Sequence, residues 1–222
     1  MIDLRREGDV FVLQLDEGEN RFNASSVSAI HAALDDVEAT PGPAALVVTG
    51  TGKFFSNGLD LDWMSSPDAE QHPEFFPDLH RMMGRVLGLD MVTVAAINGH
   101  AFAAGAMFVV AFDVRIMRDD RGYFCLPEVD LGMRLTPGMN AVVTAGLPLA
   151  TAHRAIVTGH RYGAAEAQAV GIVDEAVAED AVLPRAIEVA STYTSKRAPI
   201  LATLKHDLHG AAIDLLLAGG AE

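Results

Sequence analysis

Two stretches of this chain place glycine and small residues directly after an apolar, strand-like run. They are Phe54-Phe55-Ser56-Asn57-Gly58-Leu59-Asp60-Leu61 and Ile97-Asn98-Gly99-His100-Ala101-Phe102-Ala103-Ala104-Gly105-Ala106. Small residues let a second backbone or a ligand come close. In the second stretch the small run opens a helix, whose first N–H groups have no partner within the helix. At the positive end of the helix dipole, such groups can receive an oxyanion. Tight packing of a helix on a strand accounts for the same composition, and composition leaves both explanations open. Among the acids, Glu128 stands beside apolar Phe124, Leu126 and Val129, surroundings that favour a raised pKa. Taken by itself it reads better as a surface carboxylate at a strand end. Asp130 reads as solvated or paired with an arginine such as Arg134. Cys125 has no adjacent base and reads as a buried, inert thiol.

Periodicity defines the elements that must position these residues. Val10 to Leu15 is β-rich and follows a Gly8-Asp9 turn. Asn23 to Ala39 carries apolar residues at helical spacing, with Asn23 or Ser25 as cap. Ala45 to Gly50 and Val92 to Ile97 are continuous apolar runs, typical of strands buried on both faces. Gly52 to Leu61 reads as a glycine-punctuated loop, His80 to Leu89 and Ala103 to Phe112 as helices, and Val114 to Met117 and Tyr123 to Leu126 as short strands. Beyond Pro137 the pattern is helical over 140–158, 164–170, 184–195 and 199–217, with a last strand over 173–177. Strands come first and helices last, which makes the chain an α/β protein.

Half of the 222 residues are apolar, enough for a large core and against disorder of the whole chain. A formal net charge of −14 argues against nucleic acid and anionic lipid as general partners. The single cysteine cannot form an internal disulfide, and no Cys/His cluster has zinc-ligand spacing. A cytoplasmic setting fits best. The opening residues do not read as a signal peptide. The weakly charged stretch over 91–112 is interrupted by Asn98, Gly99 and His100, so no membrane span is expected.

In order and spacing, several pieces resemble the crotonase (enoyl-CoA hydratase/isomerase) superfamily from about Leu4 to Leu208. They are Asn23-Ala24, the Phe55 to Leu61 loop, Ala95 to Ala101 running into the small-residue helix, and Asp113 at its end. Pro127-Glu128-Val129, Thr158-Gly159, Ala164 to Ala167 and Gly171-Ile172-Val173 complete the set. The resemblance implies a spiral of repeated β-β-α units over residues 1–195 and a short helical region over 196–222 facing an oligomer. It implies that the N–H groups of Leu59 and Ala104 hold the oxygen of a thioester enolate. In hydratases of the family one glutamate lies two residues past the small run, where this chain has Met107. The second lies in the Pro-Glu segment and is Glu128 here. The pattern is similar to the Δ3-Δ2-enoyl-CoA isomerases, in which one carboxylate shuttles a proton from C2 to C4. By family position the coenzyme's adenine lies against Phe22, Asn57 and Leu61, with Arg21 and Lys205 as phosphate contacts. The implied substrate is an acyl-CoA thioester, with no metal and no separate cofactor because coenzyme A belongs to the substrate. The implied assembly is a homotrimer or a dimer of trimers.

Two features depart from the family pattern. The stretch Asp130 to Gly138 reaches its Pro-Gly pair later than in relatives, which leaves acyl chain length open. The chain also ends sooner, so its last helix is expected to dock differently or a neighbour to finish the site. Besides an isomerase, a hydratase-like or thioester-hydrolysing enzyme using Glu128 alone fits the family pattern, as does a non-catalytic acyl-CoA-binding member.

Overall fold

A computed structural model describes residues 2–220. The N-terminal strand β1 (Ile2–Glu7) pairs antiparallel with β2 (Val10–Leu15) across the Gly8-Asp9 turn. Helix α1 (Ala24–Ala39) follows, capped by Asn23, whose side chain accepts from the Ser26 N–H at 3.0 Å. Next come β3 (Ala45–Gly50), β4 (Phe54–Ser56), α2 (Leu61–Met64) and α3 (Phe75–Gly88). The unit then recurs as β5 (Thr93–Ile97), β6 (His100–Phe102) and α4 (Ala104–Val110). It recurs again as β7 (Val114–Arg118), β8 (Phe124–Cys125) and α5 (Glu128–Leu131). Helices α6 (Pro137–Gly146), α7 (Leu149–Thr158) and α8 (Ala164–Ala169) lead to β9 (Glu175–Val177), and α9 (Val182–Tyr193) and α10 (Pro199–Leu217) close the chain.

Each of these last three β-β-α units gives one strand to each of two sheets, whereas β1 and β2 both join the larger. The larger has the order β1-β2-β3-β5-β7-β9, parallel beyond the first pair, and the smaller the order β4-β6-β8, all parallel. The expected α/β spiral of β-β-α units is the architecture observed. Every residue of β3 and β5 is buried, because both faces of the large sheet are covered. Helix α9 covers one face through Val182, Ala186 and Ala190, against Val12, Val47 and Val94. The main core lies on the other, with α1, α3, α4 and α6. Among the described residues no helix is long and apolar enough to cross a membrane.

The structure corrects the sequence reading in five places. Ile2–Glu7 is an edge strand, the Gly52–Leu61 loop contains β4, and α3 starts at Phe75 rather than His80. The helix expected over 140–158 is two helices, because Pro148 lacks an N–H and disfavours helical backbone before it. Glu128 begins a helical turn rather than ending a strand. Helix α10 packs along α3 and α6 of its own chain, with Gly84 pressed against Leu216.

Candidate functional site

The first glycine loop leaves the small sheet at Ser56. The buried Ser56 hydroxyl donates to the Asn20 carbonyl at 2.7 Å and accepts from the Gly58 N–H at 3.2 Å. Gly58 adopts φ +84°, and a Cβ there would stand 2.9 Å from the Ala103 Cβ and 3.2 Å from the Ala104 nitrogen. Only glycine meets both conditions. The strand-like pairing of Phe22 with Leu59 holds this peptide on both sides. The Phe22 N–H donates to the Gly58 carbonyl at 2.7 Å, and the Asp60 N–H to the Phe22 carbonyl at 2.9 Å. The Leu59 N–H lies between these two bonds and has no partner of its own among the described residues. Asp60 accepts from the Trp63 N–H at 3.2 Å as the cap of α2, the structural role its position suggests.

The second loop leaves the same sheet at Phe102. Ala103 turns the chain at φ +50° and ψ −126°, and no side chain caps the helix that follows. Its N–H donates to the Cys125 carbonyl at 3.0 Å, and its own carbonyl receives the Met107 N–H at 3.0 Å. Ala104 is the first residue of α4, so its N–H has no partner within the helix. Gly105 lets α4 lie on β4, since a Cβ there would run into the Ser56 carbonyl. The Leu59 and Ala104 donors therefore come together because Gly58 touches the second loop and Gly105 touches the first.

Leu59 and Ala104 both line a cavity of about 490 Å³ that also contains Glu128, Met107 and an apolar wall including Phe76, Leu131 and Met139. Two larger crevices, about 630 and 670 Å³, lie between α3 and α10 and beside the start of α1, and neither touches the glycine loops. Chemistry, not volume, selects the site. Glu128 is 9% exposed, and its Oε2 has no hydrogen-bond partner among the described residues. Burial pushes its carboxyl above the ordinary carboxylate range, partly opposed by its own backbone N–H. Phe124 and Leu126 are buried as expected, while Val129 is 49% exposed and contributes little to that environment. Met107, 1% exposed and three residues beyond Ala104, puts a thioether where hydratase relatives are expected to hold a second carboxylate. Cys125 donates to the Gly159 carbonyl at 3.3 Å, and burial pushes its thiol up to about 11, which keeps it protonated and inert near neutral pH.

Three of the residues expected to meet the coenzyme stand at the cavity. Arg21 is tied to Glu19 at 2.8 Å and Asp62 at 3.0 Å, Asn57 donates to Glu19 at 2.7 Å, and Leu61 is half exposed. Two others are elsewhere. The Phe22 ring is buried edge-on against Phe108, 5.8 Å between centroids, so only its backbone serves the site. Lys205 is buried, donates to the Met91 carbonyl at 2.9 Å and pairs with Asp113 at 2.7 Å. Its ammonium holds α10 to the core, which corrects its assignment as a phosphate contact. Sequence reasoning missed Arg161, whose guanidinium stands 5.8 Å from the Phe102 ring centre on the cavity wall. Only its place just after Thr158-Gly159 hinted at this.

Residues 5–219 match the family described as enoyl-CoA hydratase/isomerase. The chain is 33% identical over 220 residues to a protein of Arabidopsis thaliana named enoyl-CoA delta isomerase 3, covering 94% of this chain and 92% of that one. It is 34% identical over 211 residues to a putative enoyl-CoA hydratase of Thermus thermophilus, covering 91% and 81%. Among solved structures it resembles an enoyl-CoA hydratase/isomerase family protein from Pseudomonas syringae with a TM-score of 0.87 at 25% identity, covering 98% and 94%. An apo enoyl-CoA isomerase of Mycobacterium tuberculosis shares the fold with a TM-score of 0.86 at 24% identity, covering 98% and 95%.

Proposed function

The chain belongs to the enoyl-CoA hydratase/isomerase family, and from that premise we propose that it moves the double bond of a 3-enoyl-CoA to position 2. The observation that supports this reading is a single buried carboxylate, Glu128, sharing a cavity with two free backbone N–H groups while Met107 occupies the second acid's place. The thioester carbonyl oxygen accepts from Leu59 and Ala104. Glu128 takes a proton from C2, and the electron pair moves onto that oxygen as an enolate. Two such donors act where charge develops, each worth about 3 kcal/mol of barrier. The carbonyl then re-forms, the double bond settles between C2 and C3, and C4 takes the proton back from Glu128. A carboxyl with a raised pKa suits both halves of this transfer. Adding water needs a second positioned acid or base, and the Met107 thioether is neither. Coenzyme A is part of the substrate, its adenosine and phosphates lying at the mouth beside Arg21, Asn57 and Leu61, and these steps call for no separate cofactor.

Turnover of matched 3-enoyl and 2-enoyl thioesters by the wild-type protein tests the reading. The expected result is 2-enoyl-CoA from the 3-enoyl series and negligible hydroxyacyl product from the 2-enoyl series. Hydration that outpaces isomerisation makes the protein a hydratase. Tight binding with no conversion of either series makes it a binding protein.

A further inference from the structure

Three residues of the cavity wall are joined by hydrogen bonds through His80, which is not among the residues that line it. His80 lies on α3, one turn after Phe76, and is 2% exposed. Its Nδ1–H donates to the Phe76 carbonyl at 2.6 Å, which leaves Nε2 as the ring's acceptor. The Thr136 hydroxyl donates to that nitrogen at 2.6 Å while its oxygen receives the Met139 N–H at 3.1 Å as the cap of α6. Phe76, Thr136 and Met139, the residues joined by this chain of bonds, all line the cavity.

The C-terminal turn seals the arrangement from behind. The Gly138 N–H, in the first turn of α6, donates to the Gly220 carbonyl at 3.2 Å. A Cβ at Gly138 would stand 2.7 Å from the imidazole, and one at Gly220 2.5 Å from it. The ring therefore fills a slot between α6 and the C-terminal turn that two glycines leave open. A leucine could fill the same slot but could not hold the Thr136 hydroxyl. Burial lowers the pKa of His80 and keeps the ring neutral, the form this pattern of bonds requires. The stretch from Glu128 to Thr136 carries Leu131, Met133 and Arg134 into the cavity. It is fixed at one end by α5, where the Met133 N–H donates to the Glu128 carbonyl at 2.9 Å, and at the other by His80 through Thr136.

The geometry points to His80 as a positioning residue that, through Thr136, fixes the apolar wall of the cavity and thereby limits the length of acyl chain accepted; this rests on the acyl-CoA reading of the site. A pocket of fixed shape discriminates one methylene by about 10-fold or more, and a wall that yields loses that power.

The test measures kcat/KM for a hexenoyl and a dodecenoyl 3-enoyl-CoA, and the affinity for the matching saturated thioesters by calorimetry, in wild type, His80→Ala, Thr136→Val and Thr136→Ser. In His80→Ala and Thr136→Val the long-to-short ratio is expected to rise about 10-fold, in binding as in turnover. Thr136→Ser, which keeps the hydroxyl, is expected to keep the wild-type ratio. An equal fall at both lengths reduces His80 to a structural residue and overturns the proposal, as does Thr136→Ser behaving like Thr136→Val. Should His80→Ala not fold, the two Thr136 variants decide. A wild type that converts no 3-enoyl-CoA defeats the isomerase reading alone, and the calorimetric ratios then judge the wall. A wild type that binds no acyl-CoA defeats both.

Discussion

The turns at Gly58 and Ala103 each follow a strand of the small sheet, and each is followed by a residue that lines the same cavity and whose N–H has no partner among the described residues, but they reach that geometry by different routes. Gly58 has φ +84° and no room for a side chain. Ala103 has φ +50° and carries one, in a region where a non-glycine residue costs about 1–3 kcal/mol. The first turn is thus relaxed and wedged, the second strained and tied, with the Ala103 peptide bonded to Cys125 on one side and Met107 on the other. Close approach at Gly58 is a requirement of shape that no bond can replace. Strain at Ala103 is a cost that neighbouring bonds offset. An alanine can stand in the small-residue run without removing a donor, since the N–H without a partner belongs to the next residue, Ala104.

Filling the gap at Gly58 costs the most activity. Gly58→Ala pushes its methyl into Ala103 and the Phe102 carbonyl, and it forces a positive φ on alanine. With a 3-enoyl-CoA as substrate, kcat is expected to fall about 100- to 1,000-fold, as when one such donor is lost. Steady-state kinetics on folded protein checks this, and near-normal turnover contradicts the wedge. Relieving the turn at Ala103 has a smaller effect of opposite sign. Ala103→Gly removes the strained Cβ and is expected to stabilise the fold by about 1 kcal/mol after glycine's extra chain entropy is counted. Urea unfolding measures it, and a loss of stability means that Ala103 is not strained.

Glu128 differs from both turns because its cost depends on pH. Its folded pKa is raised by burial, so below the ordinary carboxylate range both states hold the proton and it has no effect. As pH rises through that range the unfolded chain ionises first, and folding is progressively disfavoured until the folded carboxyl also ionises. Glu128→Gln removes the penalty. The variant is expected to melt above wild type at pH 7, with the gap closing as the pH falls towards 4. A gap that widens in acid reverses the sign and refutes the buried-carboxyl account.

Much of this was legible in the sequence for identifiable reasons. The all-apolar runs of β3 and β5 announce strands covered on both faces, and Asn23 announces the start of α1. The glycine loops are visible because close approach demands small residues. Strand β1 escaped notice because its Asp3, Arg5, Arg6 and Glu7 suit an exposed edge, where charge protects against further pairing. The direction of the Phe22 ring and the use of Lys205 by Asp113 depend on which elements meet, which local pattern does not encode. The wall from Phe76, Thr136 and Met139 joins segments some sixty residues apart, and Arg161 reaches Phe102 across a similar gap.

If one carboxylate carries the proton, as proposed, Glu128→Gln shows it with a 3-enoyl-CoA as substrate. Isomerisation is expected to fall about 100- to 10,000-fold in kcat, while saturated acyl-CoA binds as it does to wild type because the backbone donors and the cavity wall are intact. Isomerisation at the wild-type rate contradicts the claim and moves the base elsewhere in the cavity.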